Sequence, residues 1–498
     1  MAITISGEAF GVLIAAIAAL GVGKALYNVF LHPLRSFPGP LICRATPFYR
    51  HYKFLKGSLL YDLKDLHDKY GPVVRVRPDE LSFISPQAWA DIYLAQDSPN
   101  GPVELARYDR FYQFAGPGAP ETIVSLDKNY HAHLKRVLSP AFSDRSLRLQ
   151  EPMMQEYVSL LIQRLHEQSK NGEQAVNLRN WYNYLTFDII GNLGFGSDFA
   201  GLKNAVLHPW VKAVTQNIRE FSFLQVLMYL GCQRIVHILA NSSLLKGKLL
   251  HENLTREKLD ARLAQYKERP DLLEPLIQLK DPVITHDQLL ANATQLITAG
   301  SESSSTLLTA TTSLLGDNPE AMRKLAEEVR STFQSEEEIT LTAVNNLPYL
   351  SACLYETLRR FPAVPPSLPR VTPPTGAIIC GHEIPPKTVV SLAQWAAYNT
   401  DEHWTDPFGY HPERFLRDEK FANDRFDAHQ PFGLGYGSCP GRNLAWAETR
   451  LALTRVVYNF DIESAPVSKG WVARQKAYLL WDKEDFWAHL KPVRKPRA

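Results

Sequence analysis

The chain opens with an apolar, uncharged run from Ala9 to Gly23, which continues past Lys24 through Leu26, Tyr27, Val29 and Phe30. With the Lys24 stem lying along the apolar surface and its ammonium in water, the run predicts one bilayer-crossing helix of about 20 residues. Lys24, Arg35, Arg44, Arg50 and Lys53 carry positive charge on the far side, whereas only Glu8 stands in front. That bias places the bulk of the chain in the cytosol. A cleaved signal peptide is the alternative, but no basic segment precedes the run and no convincing small-residue cleavage site follows it. Pro33, Pro38 and Pro40 then predict a stiff, non-helical tether. The expected division is a membrane anchor over 1–31, a proline-rich hinge over 32–45, and one catalytic domain over 46–498.

Further patterns place the remaining elements. Alternation over Val73 to Arg77 predicts a strand. Thr285 and Gln288 form a candidate capping box ahead of a helix with Leu289, Ala293, Leu296 and Ile297 on its apolar face. Within that helix, Ala299-Gly300-Ser301-Glu302-Ser303-Ser304-Ser305 is a poor helix-forming patch, either a polar surface or kink, or a notch with a purpose. Leu350, Cys353, Leu354, Leu358 and Phe361 share another helical face, which Pro362 ends. After Gly441, helical spacing returns at Leu444, Ala447, Leu451 and Val456.

Composition narrows the class. The chain has 498 residues, 45% hydrophobic, enough for a large core. A formal charge of +2, from 54 basic and 52 acidic residues, argues against a nucleic-acid binder. Cys43, Cys232, Cys353, Cys380 and Cys439 are widely spaced, with no CxxC pair, so neither a disulfide framework nor a zinc ribbon is expected. The Asn-x-Ser/Thr sequons at Asn241, Asn253 and Asn292 read as chance matches in a cytosolic body.

Cys439 differs from the other cysteines in its neighbours. Gly433, Gly435, Gly437 and Gly441 surround it and permit close backbone approach to a ligand, and Pro440 suits a first helical turn. A thiol at a helix start is expected to have a lowered pKa and to favour thiolate, the form that binds metal. With no second cysteine or histidine nearby, it offers one bond to a metal held mainly by something else, and haem fits. A Cys–His nucleophile and a purely structural cysteine are the rival readings.

The motif Phe432-x-x-Gly435-x-x-x-Cys439-x-Gly441 resembles the haem-binding signature of the cytochrome P450 family. The run His67 to Tyr93 is similar to its fungal microsomal members. The resemblance implies a mainly α fold with a small β-rich portion, preceded by the transmembrane helix, and haem b ligated through Cys439 with Phe432, Gly433 and Gly441 around it. It implies an oxygen-activation motif in which Ala299, Gly300 and Glu302 match, with Ser303 in the usual threonine place. Glu302 and Ser303 would relay protons. It implies a structural cluster of Glu356, Arg359 and Arg414, although a lone Glu-x-x-Arg is usually a surface pair. Arg370, His131 and Lys135 would reach haem propionates. One position departs: Gly437 stands where the family usually has Arg or His.

The implied reaction inserts one oxygen atom of O2 into a lipophilic small molecule, a fungal secondary metabolite by resemblance. NADPH electrons would arrive through the flavins of an NADPH–cytochrome P450 reductase, with cytochrome b5 a second candidate donor, docking near Lys135, Arg136 and Arg442. The location implied is the endoplasmic reticulum membrane. Pocket residues are expected near Phe111 to Ile123, Phe221 to Met228, Ile297, Ser367, Leu368 and Tyr478 to Leu480. A haem-thiolate isomerase, cyclase or peroxide-using enzyme, and a haem sensor or carrier without turnover, are the competing readings.

Overall fold

The computed structural model describes residues 7–96, 103–112, 120–124, 127–206, 218–240, 246–264, 269, 271–280 and 283–493. The apolar run forms α1 (Gly7–Phe30), a 24-residue helix. Val12, Ile17, Leu20, Val22 and Phe30 are exposed on it. Among the described residues, no helix is long and apolar enough to cross a membrane. The proline segment that follows is packed down: Asn28 donates to the Ala45 carbonyl at 2.9 Å, and the Arg75 amide donates to the Pro38 carbonyl at 2.7 Å.

Strand β1 (Val73–Arg77) forms as the alternation predicts, but no position on it faces water. The segment before it and the elements around it cover both faces, so Arg75 and Arg77 are buried. Arg75 spends its guanidinium on the Pro78 and Leu34 carbonyls, and Arg77 pairs with Asp79 and Glu80. Beside β1 lie β2 (Glu80–Phe83), β3 (Ala106–Arg107), β4 (Arg370–Val371) and β5 (Val389–Leu392). They make one five-stranded sheet in the order β1-β2-β5-β4-β3, parallel only at β2–β5.

The remaining body is mainly helical, with three smaller sheets of two, three and two strands. It includes α2 (Lys128–Leu138), α3 (Asp144–Ser169), α4 (Leu178–Phe195), α5 (His286–Asp317), α6 (Pro319–Thr332), α7 (Pro348–Arg360) and α8 (Arg442–Asn459). The 32-residue α5 starts on the expected capping box, with Thr285 and Gln288 both engaged. It runs unbroken through the Gly-Ser patch, so no kink forms there. Gly300 instead admits a neighbour: a Cβ at that position would meet Ile190 Cδ1 of α4 at 2.7 Å. Thr186 of α4 donates to the Ser301 carbonyl at 2.9 Å beside this contact. Asn292 is buried and accepts from the Ile123 amide at 2.9 Å, which leaves that sequon no access. Asn241 lies outside the described residues.

Candidate active site

The cysteine loop is shaped by two turns and held by α2. Gly433 and Gly435 take φ values of 68° and 66°, the left-handed region that favours glycine. The Cys439 amide donates to the Phe432 carbonyl at 2.8 Å. From α2, Lys135 Nζ donates to the Tyr436 carbonyl at 3.0 Å, the Ser438 carbonyl at 2.9 Å and Ser438 Oγ at 2.7 Å. His131 Nε2 meets the Tyr436 carbonyl at 2.8 Å, and Nδ1 meets the Ile123 carbonyl. Both side chains therefore clamp the loop backbone. The Phe432 ring packs on Trp446 of α8 at 5.6 Å, and Arg442 lies over it at 5.7 Å.

Cys439 does not open the helix. Helix α8 begins at Arg442, with Gly441 as its N-cap. The thiol pKa is accordingly not lowered: burial pushes it up, against a Gly441 amide hydrogen bond and the charges of Lys135 and Arg442. The residue still exposes surface, although its thiol is deep among protein atoms. The open surface leaves room beside the side chain. A thiol there is available to a metal cation, and ligation deprotonates it outright. On α5, Ala299 and Ser303 also show surface, one helical turn apart.

Beside the loop, two guanidiniums share a pocket. The paired strands β3 and β4 place Arg107 opposite Arg370, and both are buried. Arg370 Nη1 donates to Tyr112 Oη at 2.7 Å, and its guanidinium lies over the rings of Tyr93, Tyr112 and Tyr436. Its buried Nε has no hydrogen-bond partner. Arg107 lies over Tyr112 and Tyr436 and reaches His131 Nδ1 at 3.3 Å. The gap left by Gly437 is filled from this side: a Cβ there would meet Arg370 Nη2 at 3.0 Å and Arg107 Nη2 at 4.0 Å. Two like charges held this close call for an anion, and a propionate meets the need in bidentate form. The accessible thiol and the guanidinium pair fit haem. Arg107 escapes sequence reasoning because its strand has two residues and no motif.

Elsewhere the expected residues meet as named. Glu356 and Arg359 of α7 are fully buried with Arg414, so the surface-pair reading is excluded. Glu302 is buried and ion-paired with Lys483 at 2.5 Å, whereas Ser303 Oγ donates to the Ala299 carbonyl at 2.6 Å. Ser304 faces Glu448 of α8, whose carboxyl burial pushes up to about 8. A separate pocket is lined by Phe111, Gln225, Ser367 and Tyr478 together with Arg50 and Glu80. Its lining is mostly apolar, and neither Cys439 nor Ser303 lines it. Residues 113–119 of the expected pocket lie outside the described residues.

A thiol with open surface near the end of a glycine loop, beside two buried guanidiniums, fits a haem-thiolate enzyme. The chain belongs to the cytochrome P450 family, whose profile matches residues 40–485. It is similar to Cytochrome P450 monooxygenase 1 of Neocamarosporium betae, 41% identical over 96% of this chain and 97% of that protein. Cytochrome P450 monooxygenase tpeC of Talaromyces stipitatus is also 41% identical, over 97% of this chain and 94% of its own length. Averantin hydroxylase of Dothistroma septosporum is 35% identical over 98% and 93%. The protein is a cytochrome P450 monooxygenase, and the isomerase, peroxide-using and carrier readings are not favoured.

The guanidinium pair yields a first prediction. Arg107→Ala is expected to speed haem transfer from the protein to apomyoglobin by about tenfold, the equivalent of one charge-assisted contact. Unchanged transfer would remove Arg107 from the site.

Proposed function

We propose that this monooxygenase hydroxylates a lipophilic secondary metabolite, drawing two electrons from NADPH through a membrane-bound diflavin reductase. Haem bound through Cys439 supplies dioxygen activation, since a thiolate ligand pushes electron density toward the oxygen–oxygen bond. The carrying observation is the open surface of Cys439 in a glycine loop clamped by His131 and Lys135. Around it, Arg370 and Arg107 would hold propionates, His131 and Lys135 keep the loop in shape, and Phe432, Gly433 and Gly441 would give the haem room. Ser303, whose Oγ donates to the Ala299 carbonyl, and the buried Glu302 would be the proton-handling groups of α5.

The hydroxylase among the relatives supports the same reading of the reaction. The exposed apolar side chains of α1, with Leu41, Ile42 and Phe48 beyond it, support anchorage in the endoplasmic reticulum membrane with the domain in the cytosol. Arg136 and Arg442 remain exposed for an acidic reductase face. Lys135, expected there too, has its ammonium turned into the cysteine loop.

Coexpression with a reductase, followed by comparison of metabolite profiles against Cys439→Ala, tests the assignment; identical profiles would overturn it. Serine keeps the hydroxyl of the usual threonine without the methyl that restricts its rotamer. Ser303→Ala is expected to cut product formed per NADPH by about tenfold or more, within the reach of a lost proton donor. An unchanged yield would remove Ser303 from the relay.

A further inference from the structure

The N-terminal ends of α3 and α8 meet the short helix Leu341–Val344 around a recess in the protein surface. Leu147 and Arg148 of α3, Leu341 and Asn345, and Trp446 and Arg450 of α8 line this cavity, whose volume is about 280 Å³. Neither Cys439 nor the Arg107–Arg370 pair lines it, and it shares no residue with the pocket around Phe111 and Tyr478. No motif marks it, because its walls come from three distant segments of the chain.

Arg450 is held in place there without a counter-ion. Its Nη1 donates to Asn345 Oδ1 at 2.7 Å, and its guanidinium lies over the Trp446 ring at 4.7 Å. Both contacts fix the plane of the fork, yet both are with neutral groups. Among the described residues Nη2 has no hydrogen-bond partner. No carboxylate pairs with the guanidinium, and burial, with the charge of Arg442 behind it, holds its pKa below the usual value. Arg148 adds a second cation to the wall, against the single acid Asp144, and the positive dipole ends of α3 and α8 lie beside both. The wall as a whole therefore favours an anion. It is not a wall for a bare inorganic ion, because Leu147, Leu341 and Trp446 are buried apolar side chains that also face the recess. An organic acid covers that surface as well as meeting the charge. About 150 Å³ is enough to hold one benzene ring in a protein interior, so this cavity has room for a two-ring acid.

We propose that this cavity is a second ligand site, separate from Cys439, which binds a planar aromatic carboxylate with its acid group on Arg450 and its rings against Leu147, Leu341 and Trp446. Guanidinium and carboxylate match in shape as well as charge, which a lysine in the same place would not achieve. The site lies close to the cysteine loop. Trp446 meets Phe432 at 5.6 Å, and the Phe432 carbonyl accepts from the Cys439 amide. An occupant is thus one aromatic contact away from the residue that holds the loop.

The test is isothermal titration calorimetry of the full-length haem-loaded protein with 2-naphthoate. 4-Phenylimidazole is present throughout, so that the iron and the space above it are already taken. One binding site is expected, with a Kd below about 1 mM and no change in the haem absorption band. Arg450→Gln is expected to weaken binding by about tenfold or more, the effect of one lost hydrogen bond to a charged group. Arg450→Lys keeps the charge but not the fork and should fall between. Arg148→Gln is expected to weaken binding by about threefold at low salt and less at high salt, as an exposed charge does. 2-Naphthalenemethanol, which has the rings without the charge, should bind about tenfold more weakly than the acid. Inorganic phosphate, which has charge without rings, should give no measurable heat. Ala447→Phe fills the cavity from α8 while leaving both arginines in place, and should abolish binding even where Arg450→Gln fails to fold.

Absence of 2-naphthoate binding up to about 10 mM overturns the inference, as does an affinity that Ala447→Phe or a folded Arg450→Gln leaves unchanged. Equal binding of the alcohol removes the role of the charge, and equal binding of phosphate removes the role of the rings; either result overturns it too. So does a heat of binding seen only when 4-phenylimidazole is left out, which places the acid beside the haem instead.

Discussion

Cys439→Ala is expected to abolish the thiolate-ligated band in the reduced carbon-monoxide difference spectrum and reduce turnover to background, with the protein still folded. The loop should survive because the sulfur does not hold it. The Cys439 amide still reaches the Phe432 carbonyl, and Lys135 and His131 still bind the carbonyls of Tyr436 and Ser438. Cys353 is the matched control: it is fully buried in the core, and Cys353→Ala should cost about 1 kcal/mol of stability while the band remains. Circular dichroism and the carbon-monoxide spectrum of both variants decide the matter. A surviving band in Cys439→Ala would return Cys439 to a structural role.

That contrast shows what the sequence makes legible. The glycine spacing around Cys439 is a backbone requirement, so it is written locally and can be read locally. The same holds for Thr285 and Gln288, which form their capping box within one turn of α5. What depends on distant strands cannot be read this way. Arg107 takes its place through register with Arg370 across a two-residue strand, and the gap at Gly437 gives no hint of which residue fills it. Lys483 reaches Thr306 from 177 positions away.

Local signals also mislead where burial intervenes. Alternation along Val73 to Arg77 finds the strand but not its second covered face. The thiol of Cys439 illustrates the competition of terms: a nearby helix start and two cations lower its pKa, yet burial prevails. Gly300 belongs to the oxygen-activation motif by resemblance, and the structure adds a packing duty against Ile190 that single-chain periodicity cannot reveal.

The largest stability effect is expected at Glu356. Its carboxylate accepts from Arg359 Nε at 2.8 Å and Nη2 at 2.7 Å and from the His411 amide at 3.0 Å, and it pairs with Arg414 at 3.3 Å. Both arginines extend the bracing into irregular chain. Arg359 reaches the Tyr398 and Pro407 carbonyls at 2.7 and 2.8 Å. Arg414 reaches the Thr405 carbonyl at 3.0 Å and pairs with buried Asp424. Glu356→Ala therefore leaves two buried guanidiniums with one remaining carboxylate. Breaking a buried pair in this way costs about 3–5 kcal/mol, a large part of a typical stability of about 5–15 kcal/mol. Haem-loaded protein should accumulate poorly, with a marked fall in the denaturant midpoint. Glu356→Gln keeps the shape and one acceptor but not the charge, and should fall between. Since the role is bracing, any surviving Glu356→Gln protein should turn over at a wild-type rate per haem. A midpoint within about 0.5 kcal/mol of wild type for Glu356→Ala, the range of an ordinary surface substitution, would contradict the burial that sets this cluster apart.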